Sequence, residues 1–118
     1  MSIFGAVITG LETPDNQGRD WYGWAANQMA HAMLGVIVAL SFPKVPLEMA
    51  LIIGALKECT DLLRVPTMAT AKDSLCDAAF WVLGAWVACA SDLTLAVWFL
   101  SFALICGVIP RARKAAAL

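Results

Sequence analysis

The sequence predicts an all-α polytopic membrane protein, with about four transmembrane helices in one bundle. Three observations lead there. Of 118 residues, 61% are hydrophobic and 14% charged, against about 25% charged in soluble domains. Apolar stretches close to the membrane-spanning minimum of about 17 residues recur along the chain. Proline, glycine and polar clusters fall between them and stop one helix from running into the next.

Residues 1–20 form an N-terminal segment. The first ten, without a basic start, read as a helix lying on a membrane surface rather than a cleaved signal. Glu12-Thr-Pro14-Asp15-Asn16-Gln17-Gly18 then discourages helix. The first span is expected from Trp21 to about Ser41, opened by Trp21, Tyr22 and Trp24, aromatic residues that favour the headgroup level. Phe42-Pro43-Lys44-Val45-Pro46 breaks it. A short second span runs from about Leu47 to Leu63, ended by Arg64-Val65-Pro66. The third is expected from about Asp73 to Cys89, and Ser91-Asp92 supplies a turn and an N-cap. The fourth runs from Leu93 to Ile109, before Pro110 and a basic tail over 110–118. The domain organisation is therefore one membrane domain, with the bundle over 21–109.

Composition also excludes. The net charge of −1 and the lack of a basic patch beyond Arg111, Arg113 and Lys114 argue against nucleic acid as a partner. Cys59, Cys76, Cys89 and Cys106 have no Cys-x-x-Cys spacing and lie in apolar stretches, which disfavours a disulfide framework or a zinc knuckle. With four spans, Arg19, Arg64, Lys72, Arg111, Arg113 and Lys114 share one side against Lys44 on the other, so both termini are expected in the cytoplasm.

This threading brings Glu58, Asp61, Asp73 and Asp77 to one level, within about two turns of the cytoplasmic surface. Asn27 and His31 reach that level from the first helix. Each pair, Asn27/His31, Glu58/Asp61 and Asp73/Asp77, shares one face of its helix. Carboxylates and a histidine on facing helices are how bundles build divalent-metal sites, so His31, Glu58, Asp61 and Asp77 are the expected metal ligands. A carboxylate in a membrane helix costs about 2.5–3.5 kcal/mol on insertion scales and needs a partner, a cavity or a function. Other readings stay open. Ser74 and Asp77 have the spacing of a capping box, and Asp73 fits the same helix start. Lys57 can pair with an acid or snorkel. Glu58 and Asp61 lie where the helix dipole disfavours anions, with Arg64 near enough to neutralise one. Trp81, Trp86 and Trp98 read as packing or interface anchors.

Asn27-Gln28-Met-Ala-His31, Lys57-Glu58-Cys-Thr-Asp61 and Ser74-Leu-Cys-Asp77 with Gly84 resemble, in order and spacing, the motifs of the VanZ-like membrane proteins, including the YfiM-like group. The match covers roughly residues 24 to 88. Asn27 and Gln28 replace an acid and a lysine of that pattern, and Trp81 stands where asparagine is common. The resemblance implies a bacterial inner-membrane or phage-encoded protein of cell-envelope biology, because the family's namesake is linked to low-level teicoplanin resistance. It implies no particular reaction.

The expected function is an intramembrane site binding a polar or cation-bridged ligand, such as the phosphate of a membrane lipid or lipid-linked envelope precursor. Asn27, Lys57 and Ser74 are its expected ligand-binding residues. If the site is catalytic, His31 or Glu58 is the general base and a divalent cation polarises a phosphoryl or acyl oxygen. The alternative is a holin-like or pore-forming homo-oligomer, with the acids lining a lumen.

Overall fold

The small-residue faces of the apolar segments decide how the chain packs. The computed structural model describes residues 2–3 and 21–117; the expected surface helix over the first ten residues and the polar stretch after it, with Arg19, lie outside the described residues apart from Ser2 and Ile3. The four long helices are α1 (Trp21–Ser41), α2 (Pro46–Arg64), α3 (Met68–Cys89) and α4 (Leu93–Ala116). No strand occurs among the described residues.

α3 is the central helix. It packs on α1 and α2, while α4 leans on α1 and α3. The α1–α3 seam is built on glycine: a Cβ at Gly84 would fall onto the Ala32 carbonyl, and one at Gly35 onto the Trp81 carbonyl. Backbones approach this closely only where side chains are absent, and the gain is van der Waals contact along the whole seam. Val38, Ala39, Ala50, Trp81 and Ala85 form the buried apolar cluster above it. Gly54 of α2 lies flat against the Trp81 ring.

Two expected boundaries are corrected. α3 begins five residues before Asp73, because Thr67 caps it: its Oγ1 accepts from Thr70 N at 3.1 Å. Ser74 and Asp77 are thus inside the helix and buried, and the alternative reading of them and of Asp73 as caps of this helix is overturned. α4 continues through Pro110 to Ala116. Proline forfeits one backbone hydrogen bond there without ending the helix, and Arg111 Nη1 donates to the Gly107 carbonyl at 3.0 Å on the same turn. The other expected cap is present, with Asp92 Oδ1 accepting from Leu95 N at 3.0 Å.

Side-chain distribution is inverted relative to a water-soluble bundle. Leu40, Leu56, Trp98, Phe102 and many other large apolar residues are exposed, whereas Gln28, His31, Glu58, Asp61, Thr70, Ser74 and Asp77 are buried. Among the described residues, α4 over Leu93–Lys114 is the one helix both long and apolar enough to cross a membrane.

Candidate metal centre

Helical spacing puts the polar residues where α1, α2 and α3 meet. The buried stripe of α1 runs Trp24, Gln28, His31, Ala32, Gly35; that of α2 runs Ala50, Gly54, Glu58, Asp61; that of α3 runs Thr70, Ser74, Asp77, then Phe80 and Trp81. Apart from the adjacent pairs His31/Ala32 and Phe80/Trp81, the steps are three or four, one side of a helix. The polar members of the three stripes fall together, and the Trp81 ring stands 6.5 Å from the His31 ring.

His31, Glu58 and Asp77 form a buried group able to hold a metal ion, with one donor atom from each within 4.8 Å of the others. His31 Nε2 is 3.6 Å from Glu58 Oε1 and 3.5 Å from Asp77 Oδ2. On the far side of the ring, His31 Nδ1 is 2.7 Å from the Asn27 carbonyl oxygen. A carbonyl only accepts, so Nδ1 carries the hydrogen and neutral His31 turns a bare Nε2 lone pair toward the two carboxylates. Nε2 and both Glu58 oxygens have no hydrogen-bond partner although buried. Lone pairs facing one another in a buried site repel unless a cation lies between them.

Two surrounding contacts fix the donors. Gln28 Nε2 donates to Asp77 Oδ1 at 2.7 Å, leaving Oδ2 directed at His31. Lys57 Nζ donates to Asp61 Oδ2 at 2.8 Å and lies 3.3 Å from Glu58 Oε1. Asp61, expected among the ligands, is buried but stands outside the three-residue group, held by Lys57. Lys57, for which snorkelling was one reading, is an ion-pair partner of two acids. Asn27 contributes its backbone carbonyl and is only half-buried. Ser74 lies one turn below Asp77 on α3.

Gln28 is the residue that sequence reasoning missed. Asn27 is four positions from His31 and Gln28 three, both allowed on a shared face. The apolar stripe Trp24, Ala32, Gly35 selects Gln28, since residue 28 lies on its line and 27 beside it.

No protein-family model, curated protein or solved structure matches the chain.

Proposed function

We propose that the chain is a polytopic membrane protein whose three-helix core binds one divalent cation through His31 Nε2, Glu58 and Asp77. The observation that carries this reading is the spacing of the donors. Charge-assisted hydrogen bonds bring N and O to about 2.7–2.9 Å, whereas the separations from Nε2 here are 3.5 and 3.6 Å. Two ligands bound at about 2.0–2.2 Å and roughly tetrahedral angles stand about 3.3–3.6 Å apart. The Nδ1 hydrogen bond to a backbone carbonyl and the Gln28 amide on Asp77 are the outer contacts that metal ligands generally have.

A cation held by three protein ligands keeps open coordination positions, and a phosphate oxygen of a lipid or lipid-linked precursor suits one. Bound, the cation would polarise that oxygen. As ligands, His31 and Glu58 have their lone pairs committed, which favours binding over general-base catalysis. The acids face one another within a single chain at 4–5% residue exposure or less, which supports an intrachain site over a lumen between copies. The apolar exterior and the span-like α4 support the membrane reading. Motif order supports kinship with the VanZ-like proteins and, through it, a bacterial inner-membrane location, and the basic-residue bias supports both termini cytoplasmic. Impermeant thiol labelling of Ser2→Cys and Leu118→Cys in a background without the native cysteines checks that orientation; modification of either in intact cells contradicts it.

Equilibrium dialysis of the detergent-purified protein against Mn²⁺, read by elemental analysis, tests the centre. One ion per chain, lost when Glu58→Gln and Asp77→Asn are combined, is expected. No uptake at saturating Mn²⁺, Mg²⁺ or Zn²⁺ overturns it.

A further inference from the structure

We propose that Lys57 is a tethered counter-cation of this centre and that Asp61 draws it aside when a divalent ion binds, so that the pair sets the centre's affinity. This rests on the metal-centre reading above. Lys57 and Asp61 are four apart on α2, one above the other, while Glu58 is the next residue along, on a face turned further into the bundle. The lysine stem lets one ammonium reach both acids, at 2.8 Å from Asp61 Oδ2 and 3.3 Å from Glu58 Oε1.

The two contacts differ in kind. Nζ makes an aligned hydrogen bond to Asp61 at 2.8 Å, whereas its contact with Glu58 Oε1 is the longer one, an ion pair at 3.3 Å. The firmer hold is therefore on the acid that stands outside the metal-binding group. The second, buried Asp61 oxygen, Oδ1, has no hydrogen-bond partner and offers the ammonium another acceptor on the same carboxylate. The Lys57 side chain is 22% exposed against 5% for Glu58, so the lysine sits at the rim of the site.

A divalent ion on Glu58 and an ammonium 3.3 Å from the same carboxylate oxygen repel strongly at this depth. Binding then requires Lys57 to retreat, and Asp61 supplies the place. Without Asp61, Glu58 is the ammonium's nearest remaining acceptor in this pair, and Lys57 becomes a competitor for the site. Without Lys57, Glu58 has no competitor, and Asp61 loses its influence through the lysine. The geometry thereby gives Asp61 a function as a positioning residue for Lys57, distinct from ligation.

Mn²⁺ titrations followed by electron paramagnetic resonance, on the wild type, Lys57→Met, Asp61→Asn and the double variant, test this as a double-mutant cycle. Lys57→Met is expected to tighten binding about tenfold or more, and Asp61→Asn to weaken it about tenfold. In the Lys57→Met background Asp61→Asn is expected to change affinity by less than about threefold. Lys57→Arg, which keeps the charge, is expected to stay close to wild type. Should Lys57→Met fail to fold with Asp61 stranded, the double variant carries the test, and it is expected to bind at least as tightly as the wild type. Unchanged or weaker binding in Lys57→Met, a double variant weaker than wild type, or equal Asp61→Asn losses in both backgrounds overturn the proposal. A wild type that takes up no Mn²⁺ fails the metal-centre reading first, and with it this one; Glu58-dependent uptake indifferent to Lys57 fails this one alone.

Discussion

The α1–α3 contact changes character along its length. Around Gly35, Gly84 and Ala85 it is backbone against backbone, with Trp81 filling the space beside it and its buried Nε1 the polar side-chain atom there that has no hydrogen-bond partner. One to two turns away, around Gln28, His31 and Asp77, the same two helices meet through side chains, and α2 adds Glu58. The seam leaves a single indole N–H unpaired. The polar level leaves several acceptors facing one another, since His31 Nε2 and both Glu58 oxygens lack hydrogen-bond partners. Stability comes from the first region, and the unfinished bonding of the second is where a ligand gains something that the fold alone does not supply.

The strongest way to break that contrast is to fill the seam. Gly84→Val is expected to abolish the assembled bundle, because its Cβ would meet the Ala32 carbonyl, backbone that cannot turn aside. Thermal unfolding and gel filtration in detergent check this, and a folded, wild-type-like Gly84→Val protein counts against the seam. At the polar level, Asp77→Asn or Glu58→Gln is expected to lower Mn²⁺ affinity about a hundredfold, the upper end of what even outer-shell changes cost, while leaving the bundle assembled. Asp61→Asn is expected to cost about tenfold. Equal losses for Asp61 and Asp77 would put both in the same role and erase the distinction drawn between them.

Gln28→Leu removes the donor that fixes Asp77 Oδ1. It is expected to cost about tenfold in affinity, at the low end of the range of about 10–100-fold for such partners. An unchanged dissociation constant would mean that Asp77 is held by other contacts. The smallest effect concerns the helix start. Thr67→Ala is expected to lose about 1 kcal/mol of stability through the cap, with Mn²⁺ affinity unchanged. A shift in affinity with no change in stability would contradict the assignment of Thr67 as cap.

The helices were largely legible in the sequence. The Trp21–Ser41 helix has its expected C-terminal end, because Pro43 and Pro46 break it there, while the expected start at Trp21 borders residues outside the described ones. α2 differs from expectation by a residue at each end. The start of α3 was not legible: Thr67 and Ser74 both offer a hydroxyl cap, and only the Ser74 choice completes a capping box with an acid three residues on. The chain uses Thr67, because starting there carries Ser74 and Asp77 a turn or more inside the helix, facing α1. Of the site, His31, Glu58 and Asp77 could be found from the cost of polar groups in apolar helices. The division of labour between Asp61 and Asp77 could not, since it depends on which acid the Lys57 side chain reaches, a matter of rotamer and crossing geometry.

On the metal-centre reading, His31 Nε2 is a ligand of the bound cation. Pulsed electron paramagnetic resonance of Mn²⁺ added in one equivalent to the purified protein measures this directly, through the magnetic coupling of a directly bound ¹⁴N. A single imidazole nitrogen coupled to the ion, absent in His31→Gln and retained in Asp61→Asn, is the predicted result. Tightly bound Mn²⁺ with no nitrogen coupling, or coupling that survives His31→Gln, would contradict it.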